Sequence, residues 1–389
     1  MKIGVMKIGG NITQSKSIKT ASNFDIFSLM PILMGAGHEI NIITSITRNT
    51  KINKPMRFHD VMKVDRSLKG LDCLMVFNGP INFFGGSESP ETMKTFEIIS
   101  KCDCPVYYML TDGRFLLGQI WPQAQLKPWH TKYNEEDHHI DRPDIFYISQ
   151  GHNLDKLWER LCSRNPSRFP AILRGNLKHF PIDWAINLDE KYSNTKEWLD
   201  DLIPFGDRQY DLMYGAANRD RYRENRLQHF YSDIPGEEDQ LSIQIFGSLK
   251  FRDGKKNGSV PHRQFIKNMQ KTKATVIVGD KFYCDNFFTL RMHESIYAGC
   301  ITFIDEEFDP EHKFYGKNNC PSSRMEGHLA GLANFLYVSS AKEVRSKIRG
   351  LTENRFRILQ EFQMYTLQEM HDADAYKRAL TEIVEAPRN

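Results

Sequence analysis

The chain lacks any apolar run long enough to cross a bilayer, which excludes a membrane-spanning helix. Its first ten residues, MKIGVMKIGG, are too short and too quickly polar for a signal peptide and read as a first strand. Cysteine is scarce and odd in number. Seven thiols without framework spacing exclude a disulfide scaffold and fit a reducing cytoplasm. Cys102 and Cys104 stand one residue apart, but no second pair completes a tetrahedral metal site, so they read as structural. An excess of one charge is also missing. A net charge of +3 over 389 residues neither demands nor excludes nucleic acid, because a local patch is what binds phosphates. No internal repeat or low-complexity segment is found.

What is present is the composition of a globular protein, with 40% hydrophobic and 26% charged residues, and a length that suits two domains. The first half alternates strand and helix signals. Strands are expected at 2–8, 39–44, 73–77, 106–110 and 145–149, and helices at 24–34, 91–100 and 154–162. Such alternation makes a doubly wound parallel sheet, whose ligands sit beyond the carboxyl ends of its strands. That places Gly9–Asn11, Asn78–Gly86 and Asp112 on one rim. A second alternating block has strands at 212–214, 243–246, 274–278 and 300–304 and a helix at 219–227. The fold class expected is therefore α/β, with two Rossmann-like doubly wound domains. We expect an N-terminal domain over 1–180, a hinge over 181–208, a second domain over 209–352, and a last segment over 353–389.

The centre of the second block is GDKFYCDNFFTLRMHE, residues 279–294, after the apolar run ATVIV. It reads as strand, turn and helix, with Thr289 as the N-cap. Arg291 and Glu294 are three apart and share one helix face near its N-terminus. A helix mouth with a cation and a carboxylate suits a nucleotide: Arg takes phosphate and Glu accepts from ribose hydroxyls. The alternative is an ordinary βα unit with a surface ion pair. Arg219 and Arg223 are four apart and would grip a diphosphate from one helix face, unless RDRYRENR is simply a solvated helix. Asp112 ends a strand at the rim and is the candidate general base, or else a cap of the turn with Gly113. The stretch Asn82, Phe83, Phe84, Gly85 either enters a base stack or packs two core phenylalanines. Basic residues in 250–256 and 263–273 contact phosphates or are solvated. Two acidic or histidine clusters, 305–309 and 130–141, have no compelling metal-ligand spacing, and no metal site is assigned.

The strings GDKFYCDNFFTLRMHE, MKIGVMKIGGN, INFFGG, VYYMLTDGRFLLGQIWP, ISQGHNLD and YGAANRDRYRE occur in order over nearly the whole chain. Together they resemble the T-even phage DNA β-glucosyltransferase family, which glucosylates 5-hydroxymethylcytosine in DNA. The resemblance implies a GT-B fold, two Rossmann-like domains facing across a cleft, with the C-terminal helix returning to the first domain. It implies an inverting glycosyltransferase that moves a sugar from a UDP-sugar to hydroxymethylcytosine in double-stranded DNA. One catalytic carboxylate suffices for such a single displacement. Asp112 would be the catalytic base, and Asn82, Phe83, Phe84, Gly85 and Arg114 would contact DNA and assist base flipping. The UDP-sugar would be held by Asp25, Gly215, Arg219, Arg223, Phe246, Gly247, Val260, Asp280, Arg291 and Glu294. Phe246 could equally be plain core. No cofactor is obligatory, and a divalent ion (Mg or Mn) is implied only as a stimulant. The setting implied is a monomer in the cytoplasm of an infected bacterium, protecting phage DNA from restriction.

The chain departs from the family near the sugar. Asn218, Asp220, Arg221 and Tyr222 replace smaller groups, His293 replaces a tryptophan, and Asp25 replaces a glutamate. These changes raise a pentose donor, UDP-arabinose, as the alternative to UDP-glucose. A glycosyltransferase with a non-DNA acceptor and a non-catalytic nucleotide- or DNA-binding module are the other rivals.

Overall fold

A computed structural model describes residues 1–7, 33–43, 63–64, 68–77, 101–110, 145–150, 177–180, 194–216, 221–247, 251, 258–279, 289–316, 328–370, 378 and 381–382. The chain divides into two compact units, Met1–Asn187 with Ala373–Asn389, and Leu188–Asp372.

The first unit holds a seven-stranded sheet, β1 (Lys2–Lys7), β2 (Glu39–Ile42), β3 (Lys63–Val64), β4 (Cys73–Phe77), β5 (Val106–Leu110), β6 (Ile145–Gln150) and β7 (Leu177–Phe180). Its order is β3-β2-β1-β4-β5-β6-β7, and every pairing is parallel. The strand order reverses between β1 and β4. Runs such as CLMVF are continuously apolar because a central parallel strand buries both faces; Cys73, Leu74, Met75 and Val76 are all buried. β3 and β7, which carry Lys63, Lys178 and His179, escaped the sequence reading because edge strands need no such run. Cys102 and Cys104 are buried just before β5, their Sγ atoms 3.1 Å apart. Among the described residues no group of three potential ligands surrounds a metal position. The expected helices at 91–100 and 154–162 lie outside the described residues.

The second unit is a five-stranded parallel sheet of β8 (Tyr210–Ala216), β9 (Ile243–Gly247), β10 (Thr272–Ile277), β11 (Ile301–Asp305) and β12 (Tyr337–Val338), ordered β12-β11-β10-β8-β9. Its helices are α1 (Thr195–Asp200), α2 (Arg221–Tyr231), α3 (His262–Gln270), α4 (Leu290–Tyr297), α5 (His328–Phe335), α6 (Ala341–Arg349) and α7 (Glu353–Met370). α1 falls where the sequence suggested a hinge. Asn194 caps it by accepting from the Lys196 and Glu197 N–H groups. Trp198, 1% exposed, donates its indole N–H to the Tyr297 carbonyl at 3.2 Å. An indole buried this way ties 194–200 to the second unit as core.

The segment expected as one C-terminal helix over 353–389 is divided between the units: α7 belongs to the second, and Ala373–Asn389 group with the first. Phe356, Leu359, Phe362 and Leu367 form the buried stripe of α7. The reason for its docking lies in β12, whose two residues pair only with Ile304 and Asp305. The Thr302 N–H has no strand partner there and donates to Gln363 Oε1 at 2.7 Å; Gln363 Nε2 donates to the Cys300 carbonyl at 3.1 Å. The amide of a helix side chain thus completes a strand ladder, as buried backbone groups require.

Candidate functional site

In the second sheet the chain runs from β8 outward to β9, then returns to the other side of β8 as β10. Ligands of open α/β sheets bind at such a reversal, beyond the carboxyl ends of the two strands. The β8–β10 pairing registers Tyr210 with Thr272 and Leu212 with Ala274. Farther along, the phenol of Tyr231 from α2 takes part. It accepts from the Val276 N–H at 2.6 Å and donates to the Val276 carbonyl at 2.9 Å. Tyr231 is fully buried, and burial pushes its phenol well above the ordinary range, so it stays a neutral donor. Tyr231→Phe should keep the ring but leave the buried Val276 N–H without its partner, lowering stability by about 1–3 kcal/mol. An unchanged urea midpoint with an unchanged m-value would show the hydroxyl to be dispensable.

One turn of chain above, Tyr214 of β8 makes a second bridge. Its hydroxyl donates to the Val278 carbonyl at 3.2 Å and accepts from Arg223 Nη2 at 2.8 Å. The Arg223 guanidinium is thereby aimed at the strand ends by a neutral acceptor. Arg226, next on the same helix, does something else. It forks onto Asp305 at 2.8 and 2.6 Å and reaches Glu307 at 2.8 Å. Tyr222 donates to Glu307 at 2.8 Å. Asp309 accepts from the Lys313 and Phe314 N–H groups and from the Tyr337 hydroxyl. The acidic run after β11 is therefore structural, held by α2 and by its own loop.

At the start of α4, Thr289 has extended N-cap geometry, but its side chain makes no capping hydrogen bond. Arg291 and Glu294 meet directly, Nη1 to Oε2 at 2.6 Å, with Glu294 buried and Arg291 half-buried. The Arg291 guanidinium lies over the ring of Phe265 from α3, 4.1 Å from its centroid. Phe246 at the end of β9 meets Phe265 edge-on, with centroids 6.2 Å apart, and belongs to the core cluster that also includes Met213 and Met269. The Phe246 side chain is therefore packed in the core of this unit. Gly247 adopts φ 106, a conformation that favours glycine, and its N–H donates to the Gly258 carbonyl at 2.9 Å. That N–H is thus engaged within the protein. Val260 packs partly buried on the same cluster.

His293, expected near the sugar, is fully buried and edge-on to Phe314, while the neighbouring Glu294 pairs with Arg291. Tyr222, also expected near the sugar, donates to Glu307. Of the expected site residues, the structure gathers Gly215, Arg223, Phe246, Gly247, Val260, Arg291 and Glu294 in the second unit. Asp25, Asn82, Phe83, Phe84, Gly85, Asp112, Arg114, Arg219 and Asp280 lie outside the described residues. Tyr214, Tyr231 and Phe265 were missed. Buried tyrosines carry no local signal, and Phe265 stood within a segment read for its positive charge.

Comparison with known proteins bears out the resemblance drawn from the sequence. Residues 1–160 match the family model described as Bacteriophage T4 beta-glucosyltransferase. The DNA beta-glucosyltransferase of Enterobacteria phage T4 is 28% identical over 327 residues, which is 80% of this chain and 83% of the relative. The fold matches the solved structure of the T4 phage enzyme in complex with UDP and Mn2+, with a TM-score of 0.65 at 23% identity, covering 99% of this chain and 100% of that one. A structure of the T4 phage enzyme with UDP-glucose matches with a TM-score of 0.64 at 21% identity over the same shares. The two-sheet α/β fold is therefore of the GT-B type expected.

Proposed function

We propose that this relative of the T4 beta-glucosyltransferase family is an inverting, UDP-sugar-dependent DNA glycosyltransferase. Its acceptor is the hydroxyl of 5-hydroxymethylcytosine in duplex DNA. The observation that carries the reading is the reversal of the second sheet, where Arg223 and the Arg291–Glu294 pair stand by the ends of β8 and β10. Two guanidinium groups suit a diphosphate, and a buried carboxylate suits ribose hydroxyls. Neutralising the departing diphosphate is the main electrostatic task of glycosyl transfer. Arg219, Asp280, Gly215, Gly247 and Val260 complete the donor site in this reading, and Asp25 stands near the sugar. Asp112, two residues beyond the end of β5, accepts the proton of the attacking hydroxyl. Asn82, Phe83, Phe84, Gly85 and Arg114 engage the duplex from which the base is flipped.

The T4 phage relative has been solved with UDP and Mn2+ and with UDP-glucose. UDP-glucose is the donor favoured here. Two of the substitutions that raised a pentose, His293 and Tyr222, are turned into the protein or onto Glu307. The reaction needs no obligatory cofactor, and a divalent ion would act by supporting the diphosphate. The biological reading is modification of phage DNA in the host cytoplasm, which guards it against restriction.

The test is competition of UDP-glucose and UDP-arabinose on one hydroxymethylated duplex, read by mass spectrometry of the released nucleosides. A hexose added to hydroxymethylcytosine, with ordinary cytosine untouched, is expected. A pentose adduct would overturn the sugar assignment. No adduct from any UDP-sugar, with UDP still bound, would favour the binding module.

A further inference from the structure

Three features converge on one ring. Phe265 is 5% exposed and projects from α3 into the reversal of the sheet. The guanidinium carbon of Arg291 lies over it, 4.1 Å from the ring centroid. Against the Cε2 side of the ring is Gly215 of β8: a Cβ built there would stand 2.2 Å from Phe265 Cε2 and 2.9 Å from Cδ2 and Cζ. No real side chain tolerates such approaches, so the ring occupies the space that any other residue at 215 would fill. Phe246 closes on the ring edge-on.

The chemistry of an arginine stacked on an aromatic face is specific. The guanidinium is planar, and its donors lie in that plane. Stacking uses the π-face and leaves the donors for Glu294 on one side and for an anion on another. It also stops a long side chain from sampling other rotamers before a ligand arrives, which lowers the entropic cost of binding.

We propose that Phe265 is a positioning residue for the donor's diphosphate, a platform that aims the Arg291 fork, and that position 215 is glycine to admit its ring. This rests on the reading of Arg291 as a phosphate ligand. The family resemblance implied Gly215 as a direct contact of the donor and did not include Phe265. Here Gly215 acts on the ligand through Phe265 and Arg291.

The experiment measures the affinities of UDP and of uridine by calorimetry for the full chain. The variants are Arg291→Ala, Phe265→Val, Gly215→Ala, the Gly215→Ala/Phe265→Val double, and the Phe265→Val/Arg291→Ala double. Thermal unfolding is followed in parallel to confirm that each variant is folded. If Phe265→Val does not fold, Phe265→Leu replaces it, since it retains more of the volume. A cation over a desolvated ring predicts about a five- to tenfold loss of UDP affinity in Phe265→Val. Uridine affinity should not change, because the platform acts on the phosphates alone. Gly215→Ala should lose UDP affinity in the wild-type background and nothing more once the ring is gone. Phe265→Val should add nothing to Arg291→Ala.

If uridine binding falls as far as UDP binding, Phe265 is a structural residue and the proposal is overturned. It is equally overturned if Arg291→Ala weakens UDP while Phe265→Val does not, or if the losses add. If Arg291→Ala leaves UDP affinity unchanged, the donor-site reading fails first, and the platform with it.

Discussion

Asp112→Asn should lower sugar transfer to hydroxymethylated DNA by about 100-fold or more, the lower part of the range for a lost general base, with UDP affinity unchanged. The acceptor is a primary alcohol, a weak nucleophile until its proton is accepted. In the proposed single displacement, the hydroxymethyl oxygen forms a bond to the anomeric carbon as its proton passes to the carboxylate. The bond from that carbon to the diphosphate breaks, and UDP leaves with the electron pair. A carboxamide of nearly the same shape cannot take up the proton, so the loss falls on turnover and not on donor binding. Single-turnover rates at saturating UDP-glucose, with UDP calorimetry on the same preparation, decide it. Turnover within a few-fold of wild type would remove Asp112 from the mechanism. A matched loss of UDP affinity would move it to the donor site.

The second large effect is on folding. Arg226→Ala should destabilise the second unit by about 3–5 kcal/mol at pH 7, the usual cost of leaving a buried charge unpaired. Only 2% of the Asp305 side chain is exposed, and its carboxylate accepts both arms of the Arg226 fork. Burial already holds the Asp305 carboxyl above its ordinary range even with the fork in place. The sign follows from linkage. A carboxyl raised in the folded state binds its proton more readily there than in the unfolded chain. Its contribution is therefore fully favourable below the unfolded-state value and is lost as pH rises through the folded one. Removing the fork raises the folded value further. The deficit of Arg226→Ala should thus be greatest near neutrality and shrink as pH falls toward about 4, the ordinary Asp range. Adding Asp305→Asn should recover part of the loss at pH 7 and make the remainder independent of pH. Urea unfolding across that range is the measurement, and a deficit that does not vary with pH would rule out the buried pair as its origin.

The bearing of this pair on the site is indirect. Arg226 and Arg223 are on one helix, three residues apart. The fork to Asp305 and the Tyr231 bridge to Val276 fix that helix to two strands, β11 and β10. Arg223 is held over Tyr214 as a result. Four arginines in RDRYRENR look alike in the sequence, yet Arg226 belongs to the scaffold and Arg223 stands at the strand ends.

Much of the fold was legible because parallel strands buried on both faces must be continuously apolar. β4 and β5 fall at the residues where such runs occur, and β10 and β11 within one or two of them. The helix of Arg291 and Glu294 was legible from the Gly-Asp turn and the spacing that follows. The alternation of strands and helices was enough for two parallel sheets, and a set of specific strings was enough for the family resemblance. These are local signals, set by the covalent chain and by periodicities of a few residues.

Tertiary structure decided what lies between distant positions. α7 docks on β11 because β12 is too short to satisfy Thr302, and Gln363, 61 residues away, does so instead. His293 packs against Phe314 while Glu294, the next residue, pairs with Arg291, because a helix turns about 100° per residue and hands adjacent side chains to different partners. Phe265 meets Gly215 and Arg291 only where β8, α3 and α4 converge. A periodicity reports which side of an element is apolar. It does not report which partner arrives there, and the partner determines whether an arginine is a strut or a phosphate ligand, and whether a glycine serves a turn or the ring beside it.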